Sequence, residues 1–381
     1  MDTDNIKKFF SLVKRNTLFY LSRKLDYPLM PPDTLQINFT FRCNLRCRMC
    51  SMHERIQELK SQNRPIELDI DTIKKVVREG ASMGIQSLIL IGGEPFLEPR
   101  LHELVAEAHR YHMGVTVVTN GTLISAESIE QMFAAGLDNL SISIDAATEA
   151  GFAAIRGEKA FGRILDNIKL LSRMKEEQKR SIPSVVSVCT IMNQNLAELF
   201  DIVLLCRGLG ISKLIFQPVV RDNTDQTRVD FNSSVFIPPA RYAELDAMLD
   251  RLIAYKLQSP ENFNFIANST RHLKLIKKYF RSTLKPGAQP CYAGYNRVQI
   301  VQEGKLYFCV NQNKYEATFG DVAVDSLRDL WFSRKAHACR KLIRGCGVPC
   351  LQWCAYRDDF IKFSEILQQV RFFGRKKRGA A

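Results

Sequence analysis

The sequence predicts an α/β fold built on a parallel sheet, because short apolar strand patterns alternate with amphipathic helix patterns from about residue 36 to residue 220. About six such units follow one another, which is enough for a full or partial barrel with its working loops at the carboxyl ends of the strands. The alternation stops near residue 221, and six of the eleven cysteines lie between residues 291 and 360. We therefore predict a partial (β/α)6 TIM-like barrel followed by a small cysteine-rich α+β extension.

The predicted elements follow the order of the chain. Six short segments rich in Val, Ile and Leu predict buried strands: LQINFT, SLILIGG, VTVVTNG, NLSISID, SVVSVCTIM and KLIFQPV. The segments between them carry apolar residues at helical spacing, and several stop at glycine, which favours a helix end. Strands that alternate with helices of this length predict parallel pairing.

Changes in this pattern predict five regions. They are a basic amphipathic helical segment (1–34), the barrel (35–220), a linker with helices (221–290), the cysteine-rich unit (291–360) and a basic tail (361–381). The polar, turn-rich stretch that opens the third region is consistent with a linker or an active-site loop. Within the fourth region, NRVQIVQEGKLYFCV predicts a hairpin around Glu303 and Gly304, with Cys309 near the end of its second strand.

Composition excludes several classes of protein. A chain of 381 residues with 46% hydrophobic and 25% charged residues is neither disordered nor fibrous. No apolar run approaches the roughly 18 residues of a membrane span, and MDTDN lacks a signal-peptide layout. We therefore expect a cytoplasmic protein, in which clustered cysteines are metal ligands or reactive thiols and isolated ones, such as Cys189 and Cys206, are core residues.

The net charge of +14 is concentrated in part at the two ends of the chain. Lysine and arginine alternate with Phe, Leu and Tyr through the first thirty residues, and the last residues read FFGRKKRGAA. Such a helix could lie on an anionic membrane surface or contact a nucleic acid. We favour the interpretation that it docks its apolar stripe on the main domain, because a stripe at helical spacing is usually core.

The stretch FRCNLRCRMC places Cys43, Cys47 and Cys50 directly after the first predicted strand. Three thiolates on one loop leave a fourth direction without a thiol, whereas a structural zinc site normally has four closed ligands. This spacing suits a [4Fe-4S] cluster with one open iron. His53 follows too closely to be a comfortable fourth ligand, and the polar residues between the cysteines argue against three unrelated core positions.

The CxxxCxxC of these cysteines resembles the signature of the radical S-adenosylmethionine (SAM) superfamily. Three further segments at the ends of successive predicted strands match the family's order: GGEP, TNGT and SISIDA. The resemblance covers roughly residues 35 to 220. It implies a [4Fe-4S] cluster on Cys43, Cys47 and Cys50 that binds and reductively cleaves SAM. It also implies a flavodoxin- or ferredoxin-type reductant.

The same resemblance implies that the following residues contact SAM: Gly92, Gly93, Glu94, Pro95, Asn120, Ser143, Asp145 and Arg156. The glycine-rich turn and Glu94 can receive the methionyl ammonium group, because glycine permits close backbone approach. Arg156 can neutralise the SAM carboxylate, and Ser143 with Asp145 can hold ribose hydroxyls. Taken singly, GGEP could be an ordinary strand-to-helix turn and Asp145 a helix N-cap.

The cysteine-rich end resembles the SPASM and twitch extensions of this superfamily. Cys291 followed by GKLYFC, which ends at Cys309, matches the first part of their pattern, but the later cysteines Cys346, Cys350 and Cys354 depart from the full SPASM spacing. The resemblance implies one auxiliary [4Fe-4S] cluster on Cys291, Cys309, Cys350 and Cys354. Cys346 is the substitute ligand, and Cys339 is expected outside the site. Zinc held by four cysteines remains the alternative.

By resemblance, a 5′-deoxyadenosyl radical abstracts hydrogen from a substrate C–H bond, and the auxiliary cluster accepts the electron left on the substrate or binds the substrate. We expect a small-molecule, carbohydrate or lipid-linked substrate, since no peptide-recognition module is visible before the barrel. A ribosomal peptide maturase of the SPASM type is the first alternative. A non-catalytic iron-sulfur or zinc protein and an RNA-modifying enzyme are further alternatives; nucleic acid is disfavoured because the basic residues are scattered.

Overall fold

The computed structural model describes residues 3–220, 234–309 and 318–353, with side chains from residue 13 onward. Its centre is a sheet whose first six strands are all parallel to their neighbours. They are β1 Thr34–Thr40, β2 Ser87–Gly92, β3 Gly114–Thr119, β4 Asn139–Ser143, β5 Ser184–Ile191 and β6 Lys213–Pro218. Their spatial order follows the chain from β1 to β6, as expected for a partial barrel.

Strand β1 shows why these segments form a barrel wall. Leu35, Ile37 and Phe39 lie in the main apolar core, and the intervening Gln36 and Asn38 therefore point to the opposite face of the sheet. Helices cover the apolar face, which excludes water from the aliphatic side chains of all six strands. Cys189 and Cys206 are both fully buried in this core, which confirms their interpretation as core residues.

The helices that connect these strands have recognisable ends. They are α2 Met52–Ser61, α3 Ile70–Ser82, α4 Leu101–Arg110, α5 Ala126–Ala135, α6 Glu149–Arg156, α7 Phe161–Glu177 and α8 Leu199–Gly208. The Asp69 side chain caps α3 by accepting from the Thr72 N–H, and Gly136 ends α5 with a φ of 80°. The short helix α6 was not predicted as a separate element, and its end at Arg156 faces the cysteine loop.

The cysteine-rich region is joined to the barrel sheet, although the sequence suggested a separate smaller unit. Strand β7 (Arg297–Ile300) pairs in parallel with β1, and β8 (Leu306–Tyr307) pairs antiparallel with β7, which confirms the predicted hairpin. The pairing with β7 gives the backbone N–H and C=O groups of β1 hydrogen-bond partners on its second edge. The remaining helices are α9 Tyr242–Lys256, α10 Pro260–Phe265, α11 Thr270–Phe280, α12 Leu327–Phe332 and α13 Arg334–Arg344.

The first helix, α1 (Thr3–Leu25), docks on the protein, but its apolar stripe does not simply face inward. Phe19 is buried as expected, whereas Tyr20 and Leu21 are exposed. The buried Phe19 confirms the predicted docking of the helix, and Tyr20 and Leu21 lie outside the docked face. No helix among the described residues is long and apolar enough to cross a bilayer. Residues 221–233 of the predicted linker region, Cys354 and the basic tail lie outside the described residues.

Candidate radical and auxiliary cluster sites

The loop after β1 brings three cysteine thiols together at the carboxyl edge of the sheet. The thiols of Cys43, Cys47 and Cys50 are free and partly accessible. Burial, together with the neighbouring thiols of Cys47 and Cys43, raises the pKa of Cys50 to about 12, as expected for sulfurs that lie near one another. Burial likewise raises the pKa of Cys43, while the Leu45 N–H, 3.5 Å from its Sγ, opposes the rise.

His53 does not join this group of sulfurs. Its Nε2 lies 2.8 Å from the carbonyl oxygen of Leu45, a hydrogen bond that fixes the ring against the loop backbone. The loop is tightened further by the Cys50 N–H, which donates to the Cys47 carbonyl at 3.0 Å. The expectation that His53 is not a ligand therefore agrees with its position.

The glycines of GGEP lie directly against the cysteine loop. The Gly93 N–H donates to the Thr40 carbonyl at 2.7 Å, and the Glu94 N–H donates to the Arg42 carbonyl at 2.8 Å. A Cβ on Gly92 would lie 2.3 Å from the Thr40 oxygen, and one on Gly93 would lie 2.0 Å from the Arg42 oxygen. Both distances are far inside van der Waals contact, so any side chain here would push the two loops apart.

Glu94 is fully buried and is held by the next loop, TNGT. Its Oε1 accepts from the Thr119 hydroxyl at 2.7 Å, and its Oε2 accepts from the Asn120 N–H at 2.8 Å. Burial raises the pKa of Glu94, while these hydrogen bonds act in the opposite direction. The carboxylate thus fixes the turn that Pro95 continues into a short 3₁₀ helix.

Asn44 joins the cysteine loop to the same TNGT segment. Its Oδ1 accepts from Asn120 Nδ2 at 2.9 Å, and its Nδ2 donates to the Thr122 hydroxyl at 2.8 Å. Sequence reasoning used Asn44 only as a polar residue between cysteines. An amide placed beside the first cysteine of the loop was the signal that could have drawn attention to it.

Arg156, at the end of α6, reaches the cysteine loop from the other side. Its Nη1 lies 3.4 Å from Cys47 Sγ, and its Nη2 donates to Asp145 Oδ2. Burial opposes the charge, but Asp145 and Cys47 hold the pKa of Arg156 above its ordinary value. The Nε atom of Arg156 is buried without a hydrogen-bond partner in the described part of the chain.

Asp145 lies between Arg156 and strand β5. Both of its oxygens accept from the protein itself: Oδ2 from Arg156, and Oδ1 from the Thr190 N–H at 2.7 Å. The carboxylate is fully buried, and these contacts make it an anchor for the Arg156 guanidinium; its expected contact with SAM stays a prediction. Ser143 is half-buried at the end of β4.

Four of the C-terminal cysteines line one cavity of about 90 Å³, which is open to solvent. They are Cys291, Cys309, Cys346 and Cys350, joined by the basic residues Arg23, Lys285 and Arg344. Backbone N–H groups point at two of the sulfurs: that of Val348 at Cys346 (3.5 Å) and that of Gln352 at Cys350 (3.4 Å). Cys339 is buried on α13 and does not line the cavity, in agreement with its predicted exclusion.

The donors present at both cysteine sites fit iron-sulfur clusters. No disulfide joins the described cysteines, and backbone N–H groups or a guanidinium point at several of the sulfurs, as they do where thiolates and cluster sulfurs are stabilised. In the cavity wall, both amide atoms of Gln289 are buried and have no hydrogen-bond partner among the described residues. Within those residues, no three His, Cys, Asp or Glu side chains converge closely enough to hold a single metal ion.

Comparison with known proteins identifies both regions. Residues 37–206 match the Radical SAM superfamily, and residues 291–357 match the SPASM iron-sulfur cluster-binding domain. The second match favours iron-sulfur over zinc at the C-terminal cysteines.

Three similar proteins illustrate the range of these matches. A tungsten-containing aldehyde ferredoxin oxidoreductase cofactor-modifying protein of Pyrococcus furiosus is 23% identical and covers 87% of this chain and 90% of its own. The PqqA peptide cyclase of Gluconobacter oxydans is 30% identical over 48% of each chain. The crystal structure of Streptococcus suis SuiB bound to precursor peptide SuiA superimposes with a TM-score of 0.64 at 15% identity, covering 92% of this chain and 80% of that one.

Proposed function

Because the chain belongs to the radical SAM superfamily and carries a SPASM domain, we propose that Cys43, Cys47 and Cys50 hold the SAM-cleaving cluster of an enzyme that abstracts hydrogen from a substrate C–H bond. The observation that carries this proposal is that three segments meet the loop that bears the three thiols. GGEP, TNGT and the end of α6 each contact the cysteine loop through named hydrogen bonds. With the [4Fe-4S] cluster and SAM bound, reductive cleavage of SAM supplies a 5′-deoxyadenosyl radical.

The protein's role is to hold the loops that would bind the cluster and SAM in fixed positions. Gly92 and Gly93 keep the GGEP turn against the cysteine loop, and Glu94 fixes the turn from inside through Thr119 and Asn120. Carbonyl groups of this turn and the Glu94 carboxylate are the groups that would receive the methionyl ammonium of SAM.

Arg156 places its guanidinium 3.4 Å from Cys47 Sγ, and Asp145 holds it in place. Its free Nε–H is a donor that the protein leaves unsatisfied, which supports a role in binding the SAM carboxylate. Ser143 is the remaining candidate for a ribose hydroxyl. Buried donors and acceptors in fixed positions lower the cost of ordering SAM in the site.

At the C-terminal end, Cys291, Cys309 and Cys350 are the described members of the proposed auxiliary ligand set, with Cys354 as the fourth. Cys346 lines the same cavity and is the alternative fourth ligand. A single auxiliary [4Fe-4S] cluster requires four thiolates, and this set supplies them.

For the substrate, we propose a small-molecule, carbohydrate or lipid-linked compound that the enzyme oxidises or otherwise modifies. Support comes from the Pyrococcus furiosus relative, which matches 87% of the chain and whose name describes modification of a cofactor. A peptide is the second candidate, because the PqqA peptide cyclase shares 30% identity over its matched half and SuiB was crystallised with a precursor peptide.

Two measurements test the proposal. Reconstituted protein supplied with SAM and dithionite should form 5′-deoxyadenosine, Cys47→Ala should abolish this, and the core control Cys189→Ala should retain it. Equal activity of Cys47→Ala and the parent protein would contradict the assignment as a SAM-cleaving enzyme. For the substrate, deuterated cell extract separated into peptide, lipid and small-molecule fractions should transfer deuterium into 5′-deoxyadenosine from one fraction. Transfer from the peptide fraction alone would replace the first candidate by the second.

A further inference from the structure

Over residues 13–25, where the structure describes its side chains, helix α1 carries large apolar side chains on its outer face as well as on its inner face. Its inner face carries Asn16 and Ser22, which are buried together with Phe19. Its outer face carries Tyr20, Leu21 and Leu25, followed in the next loop by Tyr27 and Leu29. A helix that only covers a domain would direct the apolar side chains inward.

The inner face is held mainly by polar contacts. Arg23 Nε donates to the Cys291 carbonyl at 3.0 Å, and the Tyr295 hydroxyl donates to Asp26 Oδ1 at 2.7 Å. Arg15 forms an ion pair with Asp33 at 3.0 Å. Because these contacts anchor the helix, the outward apolar side chains are not needed for docking.

Five large apolar side chains in this stretch are exposed, and we call them the N-terminal patch: Tyr20, Leu21, Leu25, Tyr27 and Leu29. Each is between 39% and 62% exposed, and all five lie within ten residues of sequence. Single exposed apolar residues are normal on a protein surface, whereas several large ones in one short segment are typical of an interaction site.

Basic residues flank the N-terminal patch. Lys14 and Lys24 are exposed on the same outer face of α1, and the Lys24 ammonium lies 5.6 Å from the centre of the Tyr20 ring. On α13, Leu342 is also exposed, and the nearby Arg344 reaches Asp26 at 3.8 Å. Lysines beside Leu and Tyr on one helix face are the composition of helices that lie in a membrane interface, where tyrosine keeps its hydroxyl in water.

We propose that the N-terminal patch binds the surface of an anionic lipid bilayer, with Leu21 and Leu25 entering the headgroup region and Lys14 and Lys24 contacting lipid phosphates. Charge favours this occupant over a second copy of the chain, because two molecules that each carry +14 repel one another. An anionic bilayer attracts basic residues near its surface, and the apolar side chains add the hydrophobic contribution.

The test is sedimentation of the purified chain with vesicles. The parent protein should bind vesicles of phosphatidylglycerol mixed with phosphatidylcholine and should bind pure phosphatidylcholine weakly, with binding to the anionic vesicles falling as salt rises. The double variant L21S/L25S should lower the affinity about tenfold or more. K14Q/K24Q should also lower it about tenfold or more, but only on anionic vesicles.

A matched control separates the patch from exposed apolar area in general. Val324 is 78% exposed and lies in the C-terminal region, so V324S should bind vesicles like the parent protein. Because every altered side chain is exposed, thermal unfolding should be unchanged in all variants. Absence of parent binding to anionic vesicles, or equal binding by L21S/L25S, overturns the proposal. Self-association that L21S/L25S removes, without vesicle binding, assigns the patch to a second copy and also overturns it.

Discussion

The Nη1 atom of Arg156 lies 3.4 Å from the sulfur of Cys47, while Nη2 of the same guanidinium binds the buried carboxylate of Asp145. One side chain therefore connects the cysteine loop to the end of β4. The positive charge stands beside a sulfur that would carry cluster charge, and the carboxylate behind it fixes its direction.

Removing Arg156 alone should destabilise the protein, because Asp145 is left buried without its cation. Breaking a buried pair in this way costs about 3 to 5 kcal/mol. We expect Arg156→Gln to lower the free energy of unfolding by that amount, measured by urea denaturation, and to abolish SAM cleavage. The double variant D145N/R156Q should regain most of the stability without regaining 5′-deoxyadenosine formation. Parent-level cleavage in the double variant would contradict the assigned role of Arg156.

Gly93→Ala should displace the cysteine loop, because the new Cβ would lie 2.0 Å from the Arg42 carbonyl oxygen. Backbone is the obstacle, so no side-chain rotation relieves the clash. We expect reconstituted G93A to hold about four fewer irons per chain than the parent protein. Gly162→Ala on α7 is the control, since nothing lies within 4 Å of its Cβ position; it should retain iron and gain about 0.5 to 1 kcal/mol of stability. An unchanged iron content in G93A would contradict the contact.

Two cysteines of the predicted cysteine-rich region differ in their position relative to the C-terminal cavity. Cys291 lines it, whereas Cys339 is buried on α13 away from it. Cys291→Ser should therefore lose about four irons per chain after reconstitution. Cys339→Ser should keep the iron content of the parent protein and lose about 1 kcal/mol of stability, because a hydroxyl replaces a buried thiol. Equal iron contents of the two variants would contradict the predicted ligand set.

Arg23 links the first helix to the auxiliary site, because it donates to the Cys291 carbonyl and lines the cavity. We expect Arg23→Ala to speed the loss of auxiliary iron to a chelator several-fold. The decrease in the absorbance of the cluster measures this rate. Lys24→Ala, at the exposed neighbouring position, should lose iron at the parent rate. Identical rates for the two variants would show that the helix does not support the auxiliary site.

Much of the barrel could be predicted from the sequence, because strand and helix periods alternate clearly and the motifs follow the strands in order. Helix α6 was not predicted as a separate helix, because its eight residues are too few to show a periodicity distinct from that of α7. The pairing of β7 with β1 was not predicted, because the local sequence pattern does not show which strands pair when they are far apart in the chain.

At the candidate site, the sequence indicated which residues take part but not which groups of the protein they contact. Glycines in GGEP predicted a close approach, yet the structure shows that the approaching group is the chain's own Arg42 carbonyl. Asp145 was expected to contact SAM, and the sequence did not indicate that it also holds Arg156. In α1 the amphipathic pattern was evident, but periodicity does not say which face lies against the protein, and the outward position of Leu21 follows from polar anchors such as Arg23.

The central claim is that the loop of Cys43, Cys47 and Cys50 supports radical chemistry while the C-terminal cysteines hold one further cluster. The most direct measurement is anaerobic reconstitution with iron and sulfide, followed by an iron count and an assay of 5′-deoxyadenosine after addition of SAM and dithionite. We predict about eight irons per chain together with 5′-deoxyadenosine. About four irons with no cleavage of SAM would contradict the account.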